Sequence, residues 1–133
     1  MRDDDEDAVR AAVGRFLGAV ESRDASAVAR SFTPDATYRN VPHEPAVGSS
    51  AIERLFRPIL TRSERVVWDI VSAAYSGDTA WLERVDRFWI EGVEYRIECN
   101  GVARVDVATG LLAEFRDYVD LAVWRQRLED VTL

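Results

Sequence analysis

Apolar residues fall at Val9, Val13, Phe16, Leu17 and Val20, and this three-to-four-residue spacing predicts an amphipathic helix from about Asp5 to Ser22. Asp24 is placed to cap a short second helix carrying Val28 and Phe32, with Pro34 just beyond its end. Ala36 to Asn40 reads as a short strand, and Val41 to Gly48, with two prolines and a glycine, reads as a loop. Ser50-Ala51-Ile52-Glu53 has the form of a capping box and would open a third helix through Leu55, Phe56 and Ile59. Pro58 removes one helical hydrogen bond, so it is expected to kink or shorten that helix.

From Arg65 the period shortens to two. Glu64–Tyr75, Thr79–Ile90, Val93–Val107 and Leu111–Tyr118 are rich in Val, Ile, Trp and Tyr, the side chains that pack well on a pleated surface. Ser76-Gly77-Asp78, Glu91-Gly92 and Ala108-Thr109-Gly110 punctuate them as turns, which predicts an antiparallel meander. An amphipathic segment, Leu121 to Leu128, closes the chain. Helices first and sheet after is the order of an α+β fold, and 133 residues suit one domain, 1–133, better than two.

Composition narrows the function. Seventeen basic against 24 acidic residues give a net charge of −7, which argues against a nucleic-acid partner. No apolar run is long enough to span a bilayer, and no basic start leads into an apolar stretch, so neither a membrane span nor a secretory signal is expected. One cysteine, Cys99, cannot build a disulfide framework and fits the reducing cytoplasm. The chain has no lysine, a bias expected of a G+C-rich bacterial genome. With one histidine and one cysteine, no familiar metal-ligand set can be assembled. The run Asp3-Asp4-Asp5-Glu6-Asp7 lacks the glycine-turned loop of a calcium site and reads as the solvated, acidic start of a helix.

Candidate chemistry lies on the strands. Period two puts Leu82, Arg84, Asp86, Phe88 and Ile90 on one face of the second long strand, and the apolar majority turns that face inward. On the last strand Leu111, Ala113, Phe115 and Asp117 share a face by the same count. Two aspartates and an arginine are thereby expected inside one curved sheet, with Tyr38 and Asn40 reaching the same space from the first short strand. Buried charges are costly unless paired, so a structural ion network is one reading of the trio. The other reading is chemical. A guanidinium fork can hold two carboxylates at fixed separation, and one cation between two buried carboxylates favours keeping one of them protonated. That yields a paired acid and base without metal or histidine.

Three motifs sharpen the choice: Tyr38-Arg39-Asn40-Val41-Pro42, Glu83-Arg84-Val85-Asp86, and Arg116-Asp117-Tyr118-Val119-Asp120-Leu121. Their order and spacing, with the Gly48–Phe56 helix start between the first two, resemble the limonene-1,2-epoxide hydrolase family of the nuclear-transport-factor-2-like or SnoaL-like superfamily. The resemblance implies a cone-shaped α+β fold, with N-terminal helices packed on a strongly curved, mixed but largely antiparallel sheet. It also implies a homodimer, no cofactor, and a small apolar epoxide and water as reactants. Carried over onto matching positions, Asp86 is the acid that protonates the epoxide oxygen and Asp117 the base that takes a proton from water. Arg84 bridges the two, while Tyr38 and Asn40 help Asp117 hold the water.

Around this cluster the pocket should be apolar, with Leu55, Ile59, Phe88, Ile97, Cys99, Val119 and Trp124 as candidate lining residues. Cys99 has no base or helix terminus to activate it, and His43, in the Pro42–Pro45 loop, suits the rim. The chain departs from the family pattern at Val119, where an aromatic is common, at the bulky Phe88-Trp89 pair and at the longer Asp106–Gly110 hairpin. These departures bear on pocket shape and leave the identity of the epoxide open. Two further functions fit the same fold: a polyketide-type epoxide-opening cyclase or ketosteroid-isomerase-like isomerase, and a non-catalytic ligand-binding module.

Overall fold

In a computed structural model, which describes residues 3–133, the chain folds as four helices on a six-stranded sheet. The elements run α1 (Asp3–Glu21), α2 (Ala25–Arg30), β1 (Phe32–Val41), β2 (Ala46–Val47), α3 (Ser49–Arg62), β3 (Arg65–Ser76), β4 (Thr79–Ile90), β5 (Val93–Asp106), β6 (Leu111–Val119) and α4 (Leu121–Arg127). The side chains of Asp3 and Asp4, the start of the acidic run, lie outside the described residues. No described helix is long and apolar enough to cross a membrane.

β3 to β6 form the expected antiparallel meander. Beyond it the sheet order is β2-β1-β6-β5-β4-β3, with β1 parallel to β6 and β2 antiparallel to β1. The parallel pair makes the sheet mixed, and the helices cover its inner face. Phe16 of α1 sits at the centre of the core, 0% exposed. Its ring meets Phe32, Phe56 and Trp68 edge-on at 5.5–5.9 Å and lies 4.9 Å from Phe115. Such aromatic packing adds about 0.5–1.5 kcal/mol per pair beyond the area buried.

Local details depart from the sequence reading in several places. Phe32 begins β1 rather than ending α2: its backbone pairs with Leu112 while its ring packs edge-on against Phe16 in the core. Pro34 then falls within a strand, at the irregularity between Phe32 and Thr37 where the ladder to β6 is interrupted and no donor is needed. The Val41–Gly48 loop contains β2, which pairs Ala46 with Tyr38 and Val47 with Thr37. The capping box does not form: Gly48, at φ 90°, is the N-cap of α3, and Ser50 lies inside the first turn. Pro58 does not end α3, which continues to Arg62; Pro58 and Arg54, whose carbonyl loses its partner, are both on the exposed side.

A further departure concerns β6. A bulge between Leu112 and Glu114 inserts one extra residue opposite the Arg104–Val105 step. The inward residues are therefore Leu112, Phe115 and Asp117, while Leu111 and Ala113 are only half-buried. Strict alternation fails there, but Phe115 and Asp117 keep the inward face.

Candidate active site

Four strands bring the polar cluster together. β4 alternates cleanly and turns Arg84 and Asp86 inward with Leu82, Phe88 and Ile90. The β4–β5 register sets Arg84 opposite Cys99 and Asp86 opposite Ile97. β6 brings Asp117 opposite Gly101 of β5 and, on its other side, opposite Asn40 of β1. Tyr38, two residues before Asn40, stacks its ring on Phe115 with centroids 5.2 Å apart.

Arg84 is the hub. Its side chain is 0% exposed, and it donates Nε to Asp86 Oδ1 at 3.0 Å and Nη2 to Asp86 Oδ2 at 2.9 Å. Nη1 donates to Asp117 Oδ1 at 2.9 Å and Nη2 to Asp117 Oδ2 at 3.2 Å. One planar fork thus grips both carboxylates, a geometry an ammonium cannot reproduce. The hydroxyl of Tyr38 also donates to Asp117 Oδ2. Trp68 of β3 lies under the guanidinium, 4.5 Å from ring centroid to Cζ, as a cation–π platform. Cys99 fills the remaining side, with Sγ 3.1 Å from Arg84 Nη2 and 3.4 Å from Asp86 Oδ2.

Burial and charge set the protonation states. Burial raises the Asp86 carboxyl above the ordinary aspartate range, and Arg84 only partly opposes it. Burial, then the charge of Asp117, raises the Tyr38 phenol, so its proton stays on the oxygen. For Arg84 burial works against the charge, but Asp117 and Asp86 more than offset it and the guanidinium stays ionised. Burial also lifts the Cys99 thiol and keeps it a thiol. One cation between two carboxylates, with Asp86 biased toward its protonated form, is an arrangement that can supply a proton from Asp86.

Above the cluster opens a cavity of about 480 Å³. Tyr38, Asn40, Asp86 and Asp117 line it, with Arg84 buried beneath. Leu55, Ile59, Phe88, Ile97, Cys99, Val119 and Trp124 all face the same cavity; Leu55, 42% exposed, is at its edge. His43 also lines it and is exposed. Among the described residues, no three His, Cys, Asp or Glu side chains converge as a metal-ligating group.

Two residues of the site escape the sequence reading. Trp68 could have been found from the alternation of β3, which buries Val66 and Trp68 on one face. Gly101 carries a quieter signal, a glycine inside a strand, which marks a close approach. A Cβ at that position would lie 2.5 Å from Arg84 Nη1, 2.8 Å from Asp117 Oδ1 and 2.9 Å from Phe115 Cε1. Only glycine leaves room for the fork to reach Asp117.

Fold and site together place the chain among small α+β proteins with an enclosed pocket in a curved sheet. The chain belongs to the SnoaL-like domain family, whose model matches residues 13–115. It is similar to a limonene-epoxide-hydrolase-like epoxide hydrolase from M. tuberculosis, at 27% identity and a TM-score of 0.71, covering 92% of this chain and 90% of that one. It also superposes on SalBIII, an epoxide hydrolase/cyclase-like enzyme with a role in pyran ring formation in the polyether salinomycin. That match has a TM-score of 0.78 and 17% identity, and covers 90% of this chain and 95% of the other. A hypothetical protein with a ketosteroid isomerase-like fold from Catenulispora acidiphila matches with a TM-score of 0.76 and 20% identity, over 92% and 97% of the two chains. The last two likenesses are of fold alone.

Proposed function

We propose that the chain is an epoxide hydrolase of the limonene-1,2-epoxide hydrolase type, which adds water to an epoxide in one push–pull step and releases a vicinal diol. The observation that carries this reading is the Arg84 fork holding Asp86 and Asp117 side by side at the floor of an apolar cavity. Asp86 protonates the epoxide oxygen as the C–O bond breaks. Asp117 takes a proton from a water molecule as that water's oxygen bonds to carbon. Each turnover leaves Asp86 ionised and Asp117 protonated, and proton exchange through solvent restores both.

Tyr38 gives its proton to Asp117, so toward the water it can only accept. Water that donates one proton to Asp117 and the other to Tyr38 or to the Asn40 carbonyl keeps a lone pair free for attack. Orientation of this kind is worth up to ~7–11 kcal/mol, and acid and base catalysis add ~10²–10⁴-fold each. The similarity to the M. tuberculosis enzyme supports the same reading.

The test is incubation of the purified protein with a panel of aliphatic and cyclic epoxides, with products followed by mass spectrometry. The reading expects a diol, one water heavier than its substrate, from the wild type and none above background from Asp86→Asn or Asp117→Asn. Isomers of substrate mass in place of diols would identify intramolecular opening and overturn it.

A further inference from the structure

The mouth of the cavity carries ionisable side chains that ring opening does not use. Among the described residues, four ionisable side chains besides those of Tyr38 and Cys99 line the cavity: Asp86 and Asp117 at the buried floor, and His43 and Arg125 at the exposed edge, where the exposed Leu133 also lies. The floor carboxylates are already gripped by Arg84. Among the described residues, no glutamate and no further aspartate lines the cavity. A chain of net charge −7 repels an anion at long range. At physiological salt that repulsion is screened over ~8 Å, so the local edge decides what enters.

Both edge groups sit on braced segments. The His43 loop is tied by its own N–H to the Asn40 carbonyl at 2.7 Å and by Arg39 Nε to the His43 carbonyl at 2.8 Å. α4 is capped by Asp120, which accepts from Ala122 and Val123, and its Trp124 packs edge-on against Phe88 at 6.0 Å. The two arginines of its last turn behave differently. Arg127 turns back to β5 and pairs with Glu98 at 2.7 Å. Arg125 lines the cavity and has no ion-pair or hydrogen-bond partner among the described residues. A guanidinium fork without a partner among the described residues thus lines the same cavity as an imidazole, which offers at least one N–H donor in either charge state.

We propose that Arg125 and His43 form an anion subsite, and that the substrate is an epoxide bearing a carboxylate at the far end of an apolar segment. The epoxide half rests on the ring-opening reading above; the anion subsite does not. The carboxylate sits at the edge against Arg125 and His43, the apolar segment fills the space between Ile59, Phe88 and Trp124, and the epoxide reaches Asp86.

Binding separates the two halves. Trp68 and Trp124 line the cavity, so quenching of tryptophan fluorescence reports occupancy by decanoate and by 1-decanol without any turnover. A solvent-exposed ion pair contributes up to ~1 kcal/mol, which is roughly a fivefold change in affinity. The decanoate-to-decanol affinity ratio is expected to fall by about that factor or more in His43→Gln/Arg125→Gln. Arg127→Gln, which removes the same charge from the same helix outside the cavity, is expected to keep the wild-type ratio. An unchanged ratio in the double variant, or an equal fall in Arg127→Gln, would overturn the subsite. Turnover then tests the substrate class: the wild type should hydrolyse the terminal epoxide of decanoic acid roughly fivefold faster in kcat/KM than its methyl ester. Equal rates for acid and ester would overturn the carboxylate assignment. A subsite seen in binding, with no diol from any epoxide, would keep the anion site and sink the ring-opening reading.

Discussion

Gly101→Ala tests the site's geometry without assuming its chemistry. The φ of Gly101 is not in the left-handed region, so alanine meets no backbone penalty and the whole effect is steric. The added methyl would stand 2.5 Å from Arg84 Nη1 and 2.8 Å from Asp117 Oδ1, well inside contact distance. A flexible arginine at a surface would swing away, but the Arg84 side chain is 0% exposed and bonded to both carboxylates. Overpacking of this kind costs about 1–3 kcal/mol. If Nη1 releases Asp117, a buried charge loses its partner, and breaking such pairs costs about 3–5 kcal/mol. The two costs are alternative relaxations rather than a sum, so a loss of about 1–5 kcal/mol is expected. For a chain of this length that is a fall in Tm of roughly 3–20 °C. Urea denaturation of wild type and variant, followed by tryptophan fluorescence, measures it directly. Diol formation should fall at least ~10²-fold with the loss of the aligned base. A variant within 0.5 kcal/mol of wild type would show that β5 does not approach Arg84 as described.

Arg84→Lys should lose turnover by at least ~10²-fold while the far-UV circular dichroism is retained, because a point charge cannot hold two carboxylates in one plane; a near-normal rate would remove the bridge from the mechanism. Because burial raises Asp86, its acid form persists to higher pH than an exposed aspartate, and kcat/KM should fall as pH rises through that raised value. The linked stability has the same sign: above the ordinary aspartate range the folded chain binds more protons than the unfolded one, so stability falls with rising pH until Asp86 has ionised in both states. A carbon-13 NMR titration of the aspartate carboxyls, together with the pH–rate profile, checks both; an alkaline limb that does not coincide with Asp86 ionisation would contradict the acid role. Tyr38→Phe removes one donor from Asp117 and one acceptor from the water, so a fall in kcat with little change in KM is expected in steady-state assays; a rise in KM alone would make Tyr38 a substrate contact instead.

The sequence discloses most of the site because the site is built on the most regular part of the chain. On β4 strict alternation carries through all twelve residues, so Arg84 and Asp86 could be assigned to the inner face from Leu82, Phe88 and Ile90 alone. On β6 the same count fails for Leu111 and Ala113, because a bulge adds a residue that no local pattern announces. Asp117 survives the error because it lies beyond the bulge. The pairing of β1 with β6 is also hidden, since a parallel contact between segments about eighty residues apart leaves no turn to mark it. That contact is what puts Asn40 opposite Asp117. Helix termini are hidden for another reason: Ser50 and Glu53 have the chemistry of a capping box, but Gly48 turns the chain two residues earlier, at φ 90°, where a Cβ would lie 3.4 Å from the Pro34 carbonyl oxygen. The two edge residues differ: the Pro42–Pro45 loop marks His43 as a rim residue, whereas Arg125 is indistinguishable in sequence from Arg127.

In the proposed hydrolysis Asp117 activates water and does not itself attack the epoxide. Single turnover in oxygen-18 water, with enzyme in excess over a good epoxide substrate, separates the two routes. Direct attack puts one solvent oxygen into every diol molecule in the first turnover and leaves the aspartates unlabelled. Attack by a carboxylate would give unlabelled diol first and place the label in Asp117 or Asp86, and that result would refute direct hydrolysis.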